Sequence, residues 1–208
     1  MLERAIDAAR QAGAQCVAVV CGEEARAKCG HLIDRVIPEH EDGAENVRSA
    51  LRAFEGDVVY LSSDLPFINV GALRDFLARV PCGAIGMPLA DAAAYESRFP
   101  AAPTHATVIG HERIANGSVF MFPAGSATNI INVAERFFNS RKSLLRMAAL
   151  LGPQLLVKYA FHKLRIDDIE QRAAAVLDFP ACAIRDCAPE LCYDIDDVDD
   201  YLYACEHA

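Results

Sequence analysis

Residues 15–21 read QCVAVVC, a short and continuous apolar run that contains three valines. A strand in a parallel sheet is buried on both faces, so its sequence lacks the alternation of apolar and polar residues found in half-exposed strands. This run therefore predicts a strand of a parallel sheet. Residues 2–13, just before it, have apolar side chains at helical spacing and end in Gly13, which predicts a helix that stops there.

Strands and helices continue to alternate through the first 87 residues. The pattern predicts strands at 33–37, 57–61 and 82–87, and helices at 23–29, 45–54 and 69–80. Strands that alternate with helices form β-α-β units with right-handed crossovers. The expected fold class is therefore α/β, a doubly wound and three-layered arrangement around a parallel sheet.

The alternation breaks down after Pro88. Residues 104–122 predict two strands around a turn, mostly helical sequence follows, and β structure returns near 183–184 and 193–194. We expect residues 1–208 to form a single domain. Within it, residues 88–180 are predicted to be a mostly helical insertion on the acceptor side, with sharing of the core as the alternative.

Composition restricts the class of protein. Apolar residues make up 53% and charged residues 24% of the chain, as in ordinary globular proteins. No apolar run reaches the roughly 20 residues of a membrane span, and no secretory signal is visible, so a cytoplasmic protein is expected. The net charge of −9 argues against nonspecific nucleic-acid binding. The eight cysteines include no C-x-x-C pair and are expected to be reduced thiols.

Asp64 is the first candidate functional residue. It follows the predicted strand 57–61 in the run SSDLPF, and ligands of open α/β sheets bind at the carboxyl ends of strands. Pro66 keeps Leu65 out of the helical conformation, so the backbone near Asp64 is restrained. From the motif alone, a structural role for Asp64 as a turn residue or helix N-cap is as well supported as a functional role.

A second acidic feature lies near the end of the chain. Residues 193–201 read YDIDDVDDY and hold five carboxylates within seven residues. The last three suit the start of a helix, where negative side chains face the positive end of the helix dipole. Mg²⁺ prefers one or two carboxylates with phosphate oxygens and water, and would relieve the repulsion within this cluster. Asp64 and Asp196 are predicted to form such a pair, with a solvated acidic surface as the alternative.

Together, the strand, SSDLPF, the following helix and the late Asp-Ile-Asp with Asp-Asp-Tyr resemble the MobA-like nucleotidyltransferases. This family includes molybdenum-cofactor guanylyl- and cytidylyltransferases and 2-phospholactate guanylyltransferases. The resemblance is clear over residues 1–80 and 183–205 and looser over 88–180. It implies a GT-A-like Rossmann sheet. It also implies transfer of a nucleotidyl group from an NTP, with GTP or CTP favoured, to a phosphorylated or cofactor-like small molecule, releasing pyrophosphate.

The resemblance also implies roles for individual residues. Asp64 and Asp196 match the two metal carboxylates of the family, and Asp200 matches the acidic residue that opens the terminal helix. Gly43 and Asn46 fall where the family contacts the base and ribose. Gly43 would allow close approach of the backbone, and Asn46 is expected either to read the base or to cap the helix.

Four further polar residues have two interpretations each. Lys142, beside Arg141, is predicted to meet the acceptor phosphate or the α-phosphate, or else to be a solvated residue at a helix start. Asn116 and Ser118 are predicted to hydrogen-bond the acceptor, or else to form a turn. His105 is expected to be structural rather than catalytic.

The MobA-like nucleotidyltransferases that this sequence resembles begin with a buried strand and a Gly-rich loop, which holds the triphosphate through backbone N–H groups. The present sequence starts in the helix that follows this loop, and its early glycines, Gly13 and Gly22, are not in a Gly-rich run. We therefore expect impaired transferase activity, explained by a start site assigned too late or by a truncation.

Two competing functions remain open at this stage. GT-A glycosyltransferases also hold a metal through acidic pairs, although they usually carry Asp-x-Asp at the strand end, where this sequence has Pro66. The chain is alternatively a binding module without catalysis. The apolar helix predicted at 153–162 favours core packing or a homodimer.

Overall fold

The computed structural model describes residues 1–103, 106–140 and 152–208. The helices are α1 Leu2–Ala12, α2 Glu23–Cys29, α3 Gly43–Arg52, α4 Val70–Arg79, α5 Ala92–Arg98, α6 Ala127–Ser140, α7 Pro153–Ala160, α8 Ile166–Leu177 and α9 Val198–His207. The strands are β1 Ala18–Cys21, β2 Arg35–Pro38, β3 Val58–Leu61, β4 Ile85–Asp91, β5 Thr107–Ile109, β6 Glu112–Asn116, β7 Val119–Phe122 and β8 Ala181–Ile184. Short 3-10 turns occur at Gly30–Leu32 and Pro189–Leu191.

The predicted strand at 15–21 and its flanking helices are present. α1 ends at Gly13, whose φ of 111° is a left-handed C-cap that glycine adopts without steric penalty. β1 and β2 then form a two-stranded parallel sheet, with Ala18 opposite Arg35 and Cys21 opposite Pro38. Over the residues described, β1 pairs only with β2, and β3 pairs only with β7.

The larger sheet has six strands in the order β3-β7-β4-β6-β5, with β8 beside β4. The predicted α/β class is confirmed, and β4 and β8 are parallel. Other pairs are antiparallel, so this sheet is mixed rather than wholly parallel. The reason is the connection between β5 and β6, which is only Gly110-His111. So short a link makes a hairpin, after which the chain runs back along β4.

Residues 88–180 therefore do not all lie outside the core. β7, which belongs to this segment, lies between β3 and β4, so the alternative of a shared core describes its β part. The region predicted to hold two strands holds three, because Gly110-His111 separates β5 from β6 and Gly117-Ser118 separates β6 from β7. Residues 193–194 form no strand, and the adjacent Ile195 donates its backbone N–H to the carbonyl of Asp64, which lies in a loop.

Helices cover both faces of the large sheet. On β3 and β7, Val59 pairs with Met121 on one face and Val58 pairs with Phe122 on the other, as expected from the two-residue period of strands. The first face packs against α1 and α4 through Ala5, Ala8, Leu73 and Phe76. The second packs against α3 and α6 through Val47, Leu51, Ile130 and Ile131. The result is the predicted three-layered core.

Within the described ranges, no helix combines the length and apolar character needed to cross a bilayer.

Candidate active site

The loop that carries Asp64 is fixed on both sides of this residue. Ser62, which follows β3, donates its backbone N–H to the Ser118 carbonyl at 3.1 Å. Leu65 and Phe67 are buried beneath the loop, and the Arg4 guanidinium donates to the carbonyl of Pro66. Because its neighbours are packed or bonded, the Asp64 backbone has little freedom at the carboxyl end of β3.

The helix after this loop does not use Asp64 as its cap. Asn69 is the N-cap of α4, and its Oδ1 accepts the backbone N–H of Ala72 at 2.9 Å. The N-cap interpretation of Asp64 is therefore excluded by the structure. Its carboxylate is left for another interaction.

One oxygen of Asp64 has no partner in the part of the chain that the structure describes. Asp64 Oδ1 is buried and accepts no hydrogen bond from the described residues. Buried polar atoms are normally paired, because an unpaired one loses its hydration without compensation. A cation or a ligand donor would supply the missing interaction, so this oxygen supports a ligand-binding role for Asp64.

The late acidic segment packs directly against the Asp64 loop. The Ile195 backbone N–H donates to the Asp64 carbonyl at 3.2 Å. Phe67 from the first loop meets the buried Tyr193 of the second edge-on, with ring centroids 4.9 Å apart. These two contacts join segments that are distant in the sequence.

Asp194 is the carboxylate of this segment that the sequence reasoning missed. It is half-buried, and Ser118 Oγ donates to its Oδ2 at 2.5 Å. Burial raises the pKa of Asp194, the Ser118 hydrogen bond opposes this, and the negative charges of Asp196 and Asp64 raise the pKa further. Asp194 thus interacts electrostatically with both predicted metal carboxylates. Its i, i+2 spacing from Asp196 was the available signal, because alternate residues of an extended segment share a side.

Among the other aspartates of this segment are one exposed candidate and a capping pair. Asp196 is exposed, and its backbone N–H donates to Asp200 Oδ2 at 3.0 Å. Asp200 is fully buried and forms a capping box with Asp197, the N-cap of α9. This agrees with the structural role that the resemblance implies for Asp200.

The fit of these residues to a metal ion follows from their chemistry. Across residues 1–103, 106–140 and 152–208, no group of three or more His, Cys, Asp or Glu side chains is arranged to hold a metal. A structural site made wholly of protein ligands is therefore excluded there. The orphan oxygen of Asp64 and the Asp194 carboxylate, whose pKa the Asp64 charge raises, together fit Mg²⁺, which takes one or two carboxylates and completes its shell with phosphate and water.

Tyr60 is a second neighbour that the sequence reasoning missed. Burial raises the pKa of its phenol, and the negative charge of Asp64 adds to the effect. The ring lies 6.4 Å, centroid to centroid, from that of Phe120, its cross-strand neighbour. An aromatic pair therefore flanks the site on β3 and β7.

The predicted nucleotide-binding residues lie at the start of α3. Gly43 is the first residue of this helix, and its N-cap is Asp42, whose side chain accepts the N–H of Ala44 at 3.0 Å. Asn46 is therefore not the N-cap. Its side chain accepts from the His40 N–H at 2.8 Å and donates to the His40 carbonyl at 3.0 Å, which closes the preceding loop.

The predicted acceptor residues lie where β6 passes into β7. Asn116 ends β6 and is exposed, while the Ser118 hydroxyl is engaged by Asp194. Lys142 and His105 lie outside the described residues. The structure thus joins the Asp64 loop, residues 194–196 and Ser118 through hydrogen bonds.

Comparison with known proteins identifies the family. The model of the MobA-like NTP transferase domain matches residues 1–116, which is more than half of the chain. The chain belongs to the MobA-like NTP transferase family. The matched part of this MobA-like chain contains Asp64 and Gly43, whereas Asp194 lies beyond it.

A solved structure extends the comparison across nearly the whole MobA-like chain. A hypothetical transferase from Thermus thermophilus is 26% identical and superposes with a TM-score of 0.84, covering 96% of this chain and 85% of that one. No curated protein matches the chain. The resemblance to MobA-like transferases and the nucleotidyltransferase fold are both confirmed.

Proposed function

We propose that this MobA-like chain transfers a nucleoside monophosphate from an NTP, with GTP or CTP preferred, to a phosphorylated or cofactor-like small molecule. The reaction releases pyrophosphate and depends on Mg²⁺. Membership of the NTP transferase family indicates nucleotidyl transfer in general. The observation that supports a Mg²⁺-dependent reaction is Oδ1 of Asp64, which is buried at the carboxyl end of β3 and unpaired among the described residues.

Asp64 and Asp194 are the residues that would hold Mg²⁺, and the exposed Asp196 adds negative charge from the same segment. When bound, the ion supplies positive charge for the α-phosphate and for the departing pyrophosphate. Three carboxylates without a cation repel one another, and the raised pKa of Asp194 reflects this repulsion in addition to burial. A cation would relieve it.

The chain's own contribution is to orient these groups. Nucleotidyl transfer depends mainly on positioning and on charge stabilisation rather than on covalent chemistry by the protein. The Phe67–Tyr193 contact and the Ile195–Asp64 hydrogen bond hold the two acidic loops together before substrate arrives. We assign the base and ribose to the start of α3 at Gly43, and the acceptor to Asn116 and Lys142.

The test begins with nucleotide binding. Calorimetric titration of the chain with GTP, CTP and UDP-glucose, each with Mg²⁺, should show binding of an NTP in preference to the nucleotide-sugar. Preferential binding of UDP-glucose would favour a glycosyltransferase. Binding of none of the three would favour a module without catalysis.

The metal role is tested with matched aspartate variants. Asp64→Asn should abolish pyrophosphate release from the NTP panel and remove Mn²⁺ binding measured by electron paramagnetic resonance. Asp57→Asn is the control, because Asp57 is exposed just before the opposite end of β3, where it accepts the Ala124 N–H at 2.9 Å. If turnover of Asp64→Asn stays within about tenfold of wild type, a barrier change of only about 1.4 kcal/mol, the metal role is wrong.

A further inference from the structure

Ser118 forms hydrogen bonds to both acidic segments. Its carbonyl accepts the Ser62 N–H at 3.1 Å, its N–H donates to the Leu191 carbonyl at 3.2 Å, and its hydroxyl donates to Asp194 Oδ2 at 2.5 Å. The first bond holds the loop that leads to Asp64. The other two hold the segment that leads to Asp194 and the carboxylate itself.

An irregularity in the sheet brings Ser118 to this position. Asn116 of β6 pairs with Leu89 of β4, and Met121 of β7 pairs with Gly86 of β4. The chain therefore advances five residues from Asn116 to Met121 while β4 advances only three residues between the same two pairs. Two residues are therefore extra, and Gly117 and Ser118 lie between the two pairs. Bulges of this kind bend a strand and redirect its side chains, and they are frequent beside active sites.

Gly117 permits the close approach that this arrangement needs. A Cβ at Gly117 would lie 2.6 Å from Pro88 Cγ and 2.7 Å from the Leu191 carbonyl oxygen. Neither distance is tolerated by a real side chain. The 2.9 Å hydrogen bond from the Gly117 N–H to the Pro88 carbonyl completes the contact with β4.

The Asp194 side chain needs an anchor because its backbone is irregular. Residues 193–196 belong to no strand or helix, so no ladder of hydrogen bonds fixes their direction. The negative charges of Asp196 and Asp64 also repel the Asp194 carboxylate. The Ser118 hydroxyl is the donor that opposes this repulsion and restricts the carboxylate to one orientation.

We propose that Ser118 is a positioning residue whose hydroxyl holds the Asp194 carboxylate beside Asp64, so that the two carboxylates face one divalent cation. This differs from the predicted role of Ser118 in contacting the acceptor. It rests on the Mg²⁺ site of the proposed function. Groups that orient metal ligands in this way typically alter metal affinity by about 10–100-fold when they are removed.

The experiment measures Mn²⁺ affinity by electron paramagnetic resonance, which needs no turnover. Ser118→Ala should raise the Mn²⁺ dissociation constant by about tenfold or more. Ser118→Thr, which keeps the hydroxyl, should restore the wild-type affinity. Ser126→Ala is the matched control at the other end of β7, where the buried hydroxyl donates to the Pro123 carbonyl at 2.7 Å, and it should leave Mn²⁺ affinity unchanged.

A double-mutant cycle with Asp194→Asn shows whether Ser118 acts through Asp194. In the Asp194→Asn background, Ser118→Ala should have little further effect on Mn²⁺ affinity, because the group that it orients no longer carries charge. Circular dichroism and the thermal midpoint verify that each variant is folded. If Ser118→Ala alone is unstable, Asp194→Asn supplies the comparison, because it changes the other partner of the same hydrogen bond.

The outcomes separate the inference from the function on which it rests. Unchanged Mn²⁺ affinity in Ser118→Ala, with binding lost in Asp64→Asn, overturns the role of Ser118 and keeps the metal site. Equal losses in folded Ser118→Ala and Ser118→Thr show that the hydroxyl is not responsible and also overturn it. Absence of Mn²⁺ binding in the wild type overturns the proposed metal site and this inference together.

Discussion

Replacing Gly117 with alanine tests how closely the site depends on one backbone contact. The added Cβ would meet Pro88 Cγ at 2.6 Å and the Leu191 carbonyl oxygen at 2.7 Å. The oxygen belongs to backbone and Leu191 is fully buried, so the contact cannot be relieved by a side-chain rotation. Separation of the two segments should instead displace the chain that leads to Asp194.

The size of the effect follows from the cost of overpacking. Overpacking a well-packed core typically destabilises by about 1–3 kcal/mol, and the contact with backbone places Gly117→Ala near the upper end. For a domain of this size, about 3 kcal/mol corresponds to a decrease in Tm of roughly 6–12 °C. Because Asp194 moves with the same segment, Mn²⁺ affinity should fall as well.

The assay is thermal and urea-induced unfolding followed by circular dichroism, together with Mn²⁺ titration of the folded protein. Gly56→Ala is the matched control, because a Cβ at Gly56 has no atom within 4 Å. That variant should be neutral or more stable by about 0.4–1 kcal/mol. If Gly117→Ala unfolds like the wild type and binds Mn²⁺ equally well, the tight contact at Gly117 does not position the site.

Three further predictions concern charged groups and thiols. Asp64→Asn should increase the stability of the metal-free protein while removing Mn²⁺ binding, because a buried and unpaired oxygen loses its charge; a decrease in Tm without metal would contradict this. The Val17 backbone N–H and the Arg10 guanidinium lower the pKa of Asp34. The contribution of ionised Asp34 to stability is therefore complete above its ordinary pKa of 3.8 and is lost as the pH falls through the lowered pKa of the folded state. The difference in unfolding free energy between wild type and Asp34→Asn should consequently vanish in acid, and a difference independent of pH would refute this. Burial raises the pKa of Cys192 to about 12, so iodoacetamide at neutral pH should modify the exposed Cys82 well before Cys192, as peptide mass spectrometry would show; early modification of Cys192 would contradict the packing described.

Local sequence was sufficient to predict the elements that depend on short-range patterns. The valine-rich strand at 15–21, the stop at Gly13 and the cap at Asn69 each depend on residues within one turn or one strand. The carboxyl-end position of Asp64 also follows from its distance along the chain from β3.

Contacts between distant segments decided the composition of the site. Asn46 was predicted to cap α3 or to read the base, but the structure uses Asp42 as the cap and engages Asn46 with His40. Asp196 was chosen over Asp194 from sequence. The hydrogen bond that distinguishes Asp194 comes from Ser118, which lies between β6 and β7, far away in the sequence.

The sequence alone determined that this is an α/β protein of the MobA-like type with an acidic residue just after the carboxyl end of a strand. It did so because strand and helix periodicity and the SSDLPF motif are encoded in neighbouring residues. Only the tertiary structure decided that β7 lies between β3 and β4 and that Ser118 meets Asp194 beside Asp64. Strand order and side-chain pairing across the fold depend on the packing of the whole core, which no local pattern specifies.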